Sequence, residues 1–231
     1  MPMSKPVCDA IPASMAYLFG LFTAEGNFEN KHCGICFTFS SKEMSLAQEV
    51  ASLLHEHFGV DAKITERESR NTISVRAYGN ELAATFFEHC GEHASGKRFS
   101  EEIMKSENAL QAVVGVLDGD GHCRPVGGDM TITTISKDLA YQIQRILVNN
   151  GIACSLRQQN RENRDFNDYQ INIRGRFGGL LSSHNGKAHY FKPSRLVQHQ
   201  FVVGNYIATP ITQMSRFQYC GPTHDFEVEE D

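Results

Sequence analysis

Residues 16–28, AYLFGLFTAEGNF, and residues 109–123, ALQAVVGVLDGDGHC, are the two stretches on which the fold turns. Each is an apolar, helix-like run that ends on a carboxylate followed by glycine, Glu25-Gly26 in one and Asp120-Gly121 in the other. An acid at a helix C-terminus opposes the helix dipole, so the ending asks for a reason. Gly20, Leu21, Glu25 and Gly26 fall on Gly115, Val116, Asp120 and Gly121 at a constant offset of 95 residues. The same offset carries Ser41-Lys42-Glu43 onto Ser136-Lys137-Asp138, and two coincidences in register mark a duplicated unit.

The units share an order of elements. After each acid-glycine pair comes an extended segment, ICFTFS (35–40) or DMTITTI (129–135), with apolar and polar residues alternating over part of its length. An amphipathic helix follows, capped by Ser41 or Ser45 ahead of Leu46, Val50, Leu53 and Leu54, and by Ser136 ahead of Leu139, Ile143, Ile146 and Leu147. Gly59 and Gly151 stand where a left-handed C-cap is wanted. Two further extended runs complete each unit, DAKITERE and TISVRAYG in the first, IACSLRQQ and DYQINIRG in the second. Each unit reads helix, strand, helix, strand, strand, and a helix over Leu82–Cys90 closes the first.

Two copies of one apolar helix bury their faces best against each other. Gly20 and Gly115 allow the backbones to approach, with Ala24 and Gly119 doing the same near the ends, so Glu25 and Asp120 converge. Two converging carboxylates repel, and a hard divalent cation with oxygen ligands, Mg²⁺ (or Mn²⁺), relieves the repulsion. One such acid alone reads as a helix end in water; the matched pair reads as a metal site.

LFGLFTAEG (18–26) and VVGVLDGDG (113–121) resemble the paired motif of the LAGLIDADG homing endonucleases in their single-chain, two-repeat form, and the resemblance covers roughly the first two hundred residues. It implies an α+β fold of two pseudo-twofold-related αββαββα repeats forming a saddle-shaped DNA-binding β-surface. It divides the chain into a first repeat (1–108), a second repeat (109–200) and a tail (201–231). It also implies a site-specific endonuclease that cuts both strands of double-stranded DNA, with Glu25 and Asp120 as the catalytic, metal-holding acids. Glu25 is a longer-armed carboxylate than the family's aspartate, and Thr23 stands where the second motif has Asp118. The family's lysine in each half falls on Lys97, in ASGKRF, and Lys187, in HNGKAHYF, with Arg98 and Lys192 as alternatives. A phosphodiester hydrolysed between such groups needs a metal to activate water and cations to neutralise the phosphate.

Alternation assigns the strand faces. Ile64, Ile73 and Val75 point inward in the first repeat, leaving Lys63, Thr65, Arg67, Ser74 and Arg76 for DNA. In the second, Ile152, Cys154, Leu156, Ile171 and Ile173 are inward, leaving Arg157, Gln159, Gln170, Asn172 and Arg174. Arg, Gln and Asn suit bidentate contacts to purine edges in the major groove. The polar connection QQNRENRDFN (158–167) adds Arg161 and Arg164 as residues reaching along the duplex.

A net charge of −5 fits a polyanion binder only once it is divided along the chain. Residues 221–231 hold five acids and no Lys or Arg, whereas residues 141–200 hold nine Lys or Arg against three acids. Residues 42–108 hold eight Lys or Arg against twelve acids, so the second repeat is expected to grip its half-site more strongly. No apolar run is long enough to span a bilayer and the first ten residues lack a secretory pattern, so a cytoplasmic protein with no membrane partner is expected, and the single-chain, two-repeat resemblance implies a monomer. Seven cysteines without framework spacing read as reduced thiols; Cys33 and Cys36 in HCGIC lack the two further ligands of a zinc site.

The tail speaks to origin. NYIATPIT and the Thr223-His224-Asp225-Phe226-Glu227-Val228-Glu229 segment resemble the late part of an intein splicing domain, which makes an intein origin, and an intein fragment as partner, an expectation. Splicing by this chain is not expected, for want of the terminal His-Asn and of an opening intein segment. Two rival readings keep the fold and lose the cleavage: a DNA- or RNA-binding regulator or maturase, and an intein-associated scaffold with a decayed nuclease.

Overall fold

A computed structural model describes residues 11–29, 32–124, 129–160, 166–174, 181, 201–203, 206–208, 214–216, 218, 220 and 221. Helix α1 (Ala13–Glu25) passes straight into β1 (Gly26–Glu29), followed by β2 (Gly34–Ser40), α2 (Met44–Phe58), β3 (Lys63–Arg67), β4 (Thr72–Tyr78) and α3 (Asn80–Cys90). Two short helices, α4 (His93–Gly96) and α5 (Glu101–Lys105), lead to the second unit. There α6 (Ala109–Asp120), β5 (His122–Cys123), β6 (Met130–Thr134), α7 (Lys137–Asn149), β7 (Cys154–Gln159) and β8 (Asp168–Ile173) repeat the order. A hairpin of β9 (Phe201–Val203) and β10 (Tyr206–Ala208) follows in the tail, while Thr223–Glu229 lie outside the described residues.

Each unit forms an antiparallel four-stranded sheet, β1-β2-β4-β3 in the first and β5-β6-β8-β7 in the second. The identical order is the structural form of the duplication. The segment-by-segment reading passed over β1 and β5, which the αββαββα order implied by the resemblance includes: β1 begins directly after Glu25 and β5 just past Gly121, and α3 closes the first unit. The glycine of each acid-glycine pair makes that abrupt change. Gly26 (φ −93°, ψ 145°) and Gly121 (φ −71°, ψ 145°) are already extended, and a side chain at either would collide with Phe22 or Leu117 one turn back.

The other signals locate their elements unequally. Ser136 caps α7 through its hydroxyl, which accepts from Leu139 N–H at 3.2 Å. Ser41 and Ser45 do not cap α2; Glu43 holds the cap position and its carboxylate accepts from Ser40 N–H at 3.0 Å. Gly59 and Gly151 take φ of 63° and 71°, the left-handed conformation that ends α2 and follows α7.

Helix α1 is buried without interruption from Ala16 to Thr23, and α6 from Ala112 to Asp118. A helix apolar on all sides is stable only when enclosed, and these two form the centre of one continuous core. Phe22 stands edge-on to Phe28, Phe37 and Phe86, tying α1 to its sheet and to α3.

Candidate functional site

The seam between α1 and α6 brings the motif acids together. A Cβ on Gly20 would run into the backbone of Ala112, and one on Gly115 into the backbone of Tyr17 and Leu21, so only glycine fits either place. Near the C-terminal ends, Gly119 lies so close to α1 that an added Cβ would come within 3.1 Å of Glu25 Cγ. Glu25 of one motif thus rests against the residue preceding Asp120 of the other. Glu25 is partly exposed and Asp120 exposed, whereas Asp118, two residues earlier, is fully buried. Asp118 Oδ2 accepts from the Tyr17 hydroxyl at 3.0 Å, and burial followed by the Asp118 charge pushes the Tyr17 hydroxyl well above its usual range. Thr23, the counterpart of Asp118, instead turns its hydroxyl back onto Gly20 O at 2.7 Å within α1.

Lys97 supplies the cation that the end of α1 lacks. The helix has no basic residue in its last turn, and Lys97 Nζ donates to Phe22 O at 2.8 Å and to Gly26 O at 2.9 Å while standing 4.1 Å from the Phe22 ring centroid. Burial lowers its pKa to about 8, opposed in part by the nearby Asp120 and Glu92 carboxylates. The second repeat holds this segment in place: the Ser136 hydroxyl donates to Lys97 O, and Gln142 bonds both the N–H and the carbonyl of Phe99 at 2.8 Å. A cavity of about 710 Å³ lies beside it, lined among others by Thr23, Glu92, His93, Lys97, Asp120 and Asp168. Lys97 of the first repeat and Asp120 of the second therefore face one space. Lys187, Lys192, Arg161 and Arg164 lie outside the described residues. Arg98 is turned away, its Nη1 donating to Glu88 O at 3.1 Å.

The outward sheet faces follow the alternation in register. In the first sheet Lys63 opposes Arg76, Thr65 opposes Ser74 and Arg67 opposes Thr72. Lys63 and Arg67 are exposed and Thr65 is half-buried. Two residues are less available than expected. Ser74 is only 5% exposed, because Thr38 and Thr65 cover it from both sides. Arg76 is ion-paired through Nε with Glu29 at 2.7 Å. In the second sheet Arg157 opposes Gln170, Ser155 opposes Asn172 and Gln159 opposes Asp168. Arg124, Asp129, Arg157, Gln170, Asn172 and Arg174 border a depression of about 320 Å³, where Arg174 Nη1 meets Asp129 Oδ2 at 3.1 Å. The sequence reading missed Glu29, Asp129 and the buried Asp168. The Phe28-Glu29 alternation was the available signal, but a strand of four residues is too short to announce itself.

A family model described as a LAGLIDADG-like domain matches residues 12–91 and 107–177, one segment on each repeat. The chain belongs to the LAGLIDADG-like family. Its relatives include an ATP-dependent DNA helicase of Thermococcus kodakarensis, 24% identical over 243 residues that take in 100% of this chain and 22% of the helicase. A component of the A-type ATP synthase of Methanopyrus kandleri is 27% identical over 143 residues, 62% of this chain and 13% of that component. An uncharacterised protein of Methanocaldococcus jannaschii is 24% identical over 231 residues, 93% of this chain and 28% of that protein. The chain spans less than a third of the length of each of these relatives. Among solved structures, I-DmoI in complex with DNA and Ca superposes with a TM-score of 0.56 at 17% identity, covering 77% of this chain and 93% of I-DmoI. The I-DmoI complex with DNA and Mn gives 0.54 at 19% identity, covering 74% and 98%. The LAGLIDADG fold, α+β with two four-stranded sheets, is thereby shared with a homing endonuclease.

Proposed function

We propose that the chain is a site-specific endonuclease that binds double-stranded DNA along both sheets and hydrolyses both strands with a divalent metal ion, Mg²⁺ or Mn²⁺. The observation that carries this reading is the glycine seam, which sets Glu25 against Gly119 and hence beside Asp120. Two carboxylates at two helix C-termini form a hard-oxygen donor pair suited to such an ion. Among the described residues no group of three His, Cys, Asp or Glu side chains is placed to hold a metal, and Glu25 and Asp120 are the pair that would hold it. When bound, the metal activates water and offsets the charge that develops on the phosphate.

The chain's own groups divide the remaining work. Glu25 and Asp120 would hold the metal between the two motif ends. Lys97 neutralises the phosphate beside Asp120, its ammonium aimed by the two α1 carbonyls. The outward strand residues Lys63, Thr65, Arg67, Arg157, Gln159, Gln170, Asn172 and Arg174, together with Arg161 and Arg164, hold the duplex, and Lys187 serves the other strand. Relatives named as a helicase and as part of an ATP synthase, each matched over a minor part of its length, support a mobile element carried inside unrelated host proteins, with residues 201–231 as a splicing-domain remnant.

The test is selection of cut sites from a host-genomic DNA library with Mg²⁺ and with chelator. One long site cut only in the presence of metal is expected. The double variant Glu25→Gln, Asp120→Asn should bind that site with unchanged affinity and leave it intact; cutting by the double variant would refute the metal assignment. Enrichment of bound but never cut DNA would support a regulator of the same fold instead.

A further inference from the structure

The outward face of the first sheet carries a closed network that simple alternation does not explain. Arg76 Nε donates to Glu29 Oε1 at 2.7 Å and the Tyr78 hydroxyl donates to Glu29 Oε2 at 2.9 Å, so each carboxylate oxygen has its own donor. The register shows how they meet: Glu29 opposes Gly34, and Gly34 opposes Tyr78. Gly34 leaves the bridge open, since a Cβ there would lie 2.7 Å from Tyr78 Cδ1. Burial pushes the Glu29 carboxyl up, but the hydrogen bonds from Arg76 and Tyr78 outweigh it and hold it below its ordinary value. The pair is therefore ionised around neutrality and fixed before any ligand arrives.

An arginine bonded through Nε keeps its Nη1 and Nη2 fork, and the two terminal nitrogens match the O6 and N7 acceptors that guanine presents in the major groove. Glu29 also cancels the net charge of Arg76, which removes the long-range pull of a phosphate and leaves the directional bonds. Lys63, the exposed cross-strand neighbour of Arg76, remains to meet the DNA backbone.

Among the described residues the second sheet carries a different pair, Arg174 bonded to Asp129 through Nη1 rather than Nε, and the position matching Arg76 holds Asn172. Cys36, opposite Arg76, corresponds at the offset of 95 to Thr131, which lies opposite Asn172 and donates to Asn172 Oδ1 at 3.1 Å. Glu29 corresponds at the same offset to Arg124. We infer that Glu29 is a positioning residue that presents Arg76 to a guanine in the half-site under the first repeat, and that the symmetry-related position of the other half-site is not read as guanine. The inference rests on the DNA-binding part of the proposed function and not on cleavage.

The experiment selects bound duplexes from a randomised library with the full chain in Ca²⁺. Parent, Arg76→Ala, Arg76→Lys, Glu29→Gln and Glu29→Ala are then titrated with the selected site and its single-base-pair variants, with melting temperatures in parallel. One G·C pair on one side of the centre is expected, whose exchange weakens the parent roughly tenfold or more. Both Arg76 variants should abolish the preference at that pair. Both Glu29 variants should reduce it several-fold, leaving preferences elsewhere and the melting temperature unchanged. The inference is overturned if Arg76 variants weaken all sequences equally, or if Glu29 variants leave the G·C preference intact. A library in which no sequence is enriched overturns the DNA reading itself, an outcome distinct from either.

Discussion

Lys97 binds two backbone carbonyls inside the protein, yet it faces the same cavity as Asp120. Its depressed pKa, about 8 against an ordinary 10.5, means that the buried ammonium costs folding free energy at neutral pH. Between these values the unfolded chain carries the proton and the folded chain does not, so parent stability rises with pH through this group, by at most roughly 1.4 kcal/mol per unit. Comparing Lys97→Met with the parent by denaturant titration from pH 7 to pH 10 should show the difference moving in the parent's favour, alongside loss of cleavage at pH 7. A difference independent of pH would refute the burial argument. Tyr17→Phe tests the other buried group: removing the donor to Asp118 should cost about 2 kcal/mol in melting experiments. The closeness of Glu25 to the end of the second motif was legible because both acids end a repeated motif, whereas Lys97 was singled out only through the resemblance to the family. Glu29 and Tyr17 were not, since each acts through a partner 47 and 101 residues away.

Glycines with different reasons to be glycine separate the elements. Gly20→Ala places a methyl into the Ala112 backbone, and with both helices enclosed it should cost more than about 2 kcal/mol. Gly59→Ala meets nothing within 4 Å but must adopt φ 63°, a cost of about 1 kcal/mol. Thermal denaturation of both variants should preserve that order, and equal destabilisation would deny the special closeness of the seam. At this scale the sequence was readable wherever alternation or helical spacing ran for five residues or more, as in β2, β3, β4, β6, β7, β8 and α7. It was silent where a strand is two or four residues long, as in β5 and β1, because no period can establish itself there. The cap of α2 was misread because a serine before a helix is only one of several groups that can satisfy its first N–H donors.

Across the whole molecule, charge is unevenly shared between the sheets. The 320 Å³ depression of the second sheet is bordered by three arginines and one acid, whereas in the first sheet Glu29 neutralises Arg76. Arg157→Ala and Arg174→Ala should each lower the salt-dependence slope of DNA binding by about 1 in a fluorescence titration. Arg76→Ala should leave that slope nearly unchanged. The duplication was visible in the sequence because both copies keep the same offset through their first two helices; the matching strand order needed the structure, since insertions displace the later strands. The contacts across the helix seam are themselves reciprocal, Gly20 with Ala112 and Gly115 with Tyr17, positions equivalent at the same offset of 95. Either half consequently presents at this seam a surface that a second copy of itself could meet, the geometry expected if the two-repeat chain descends from a symmetric pair of single repeats.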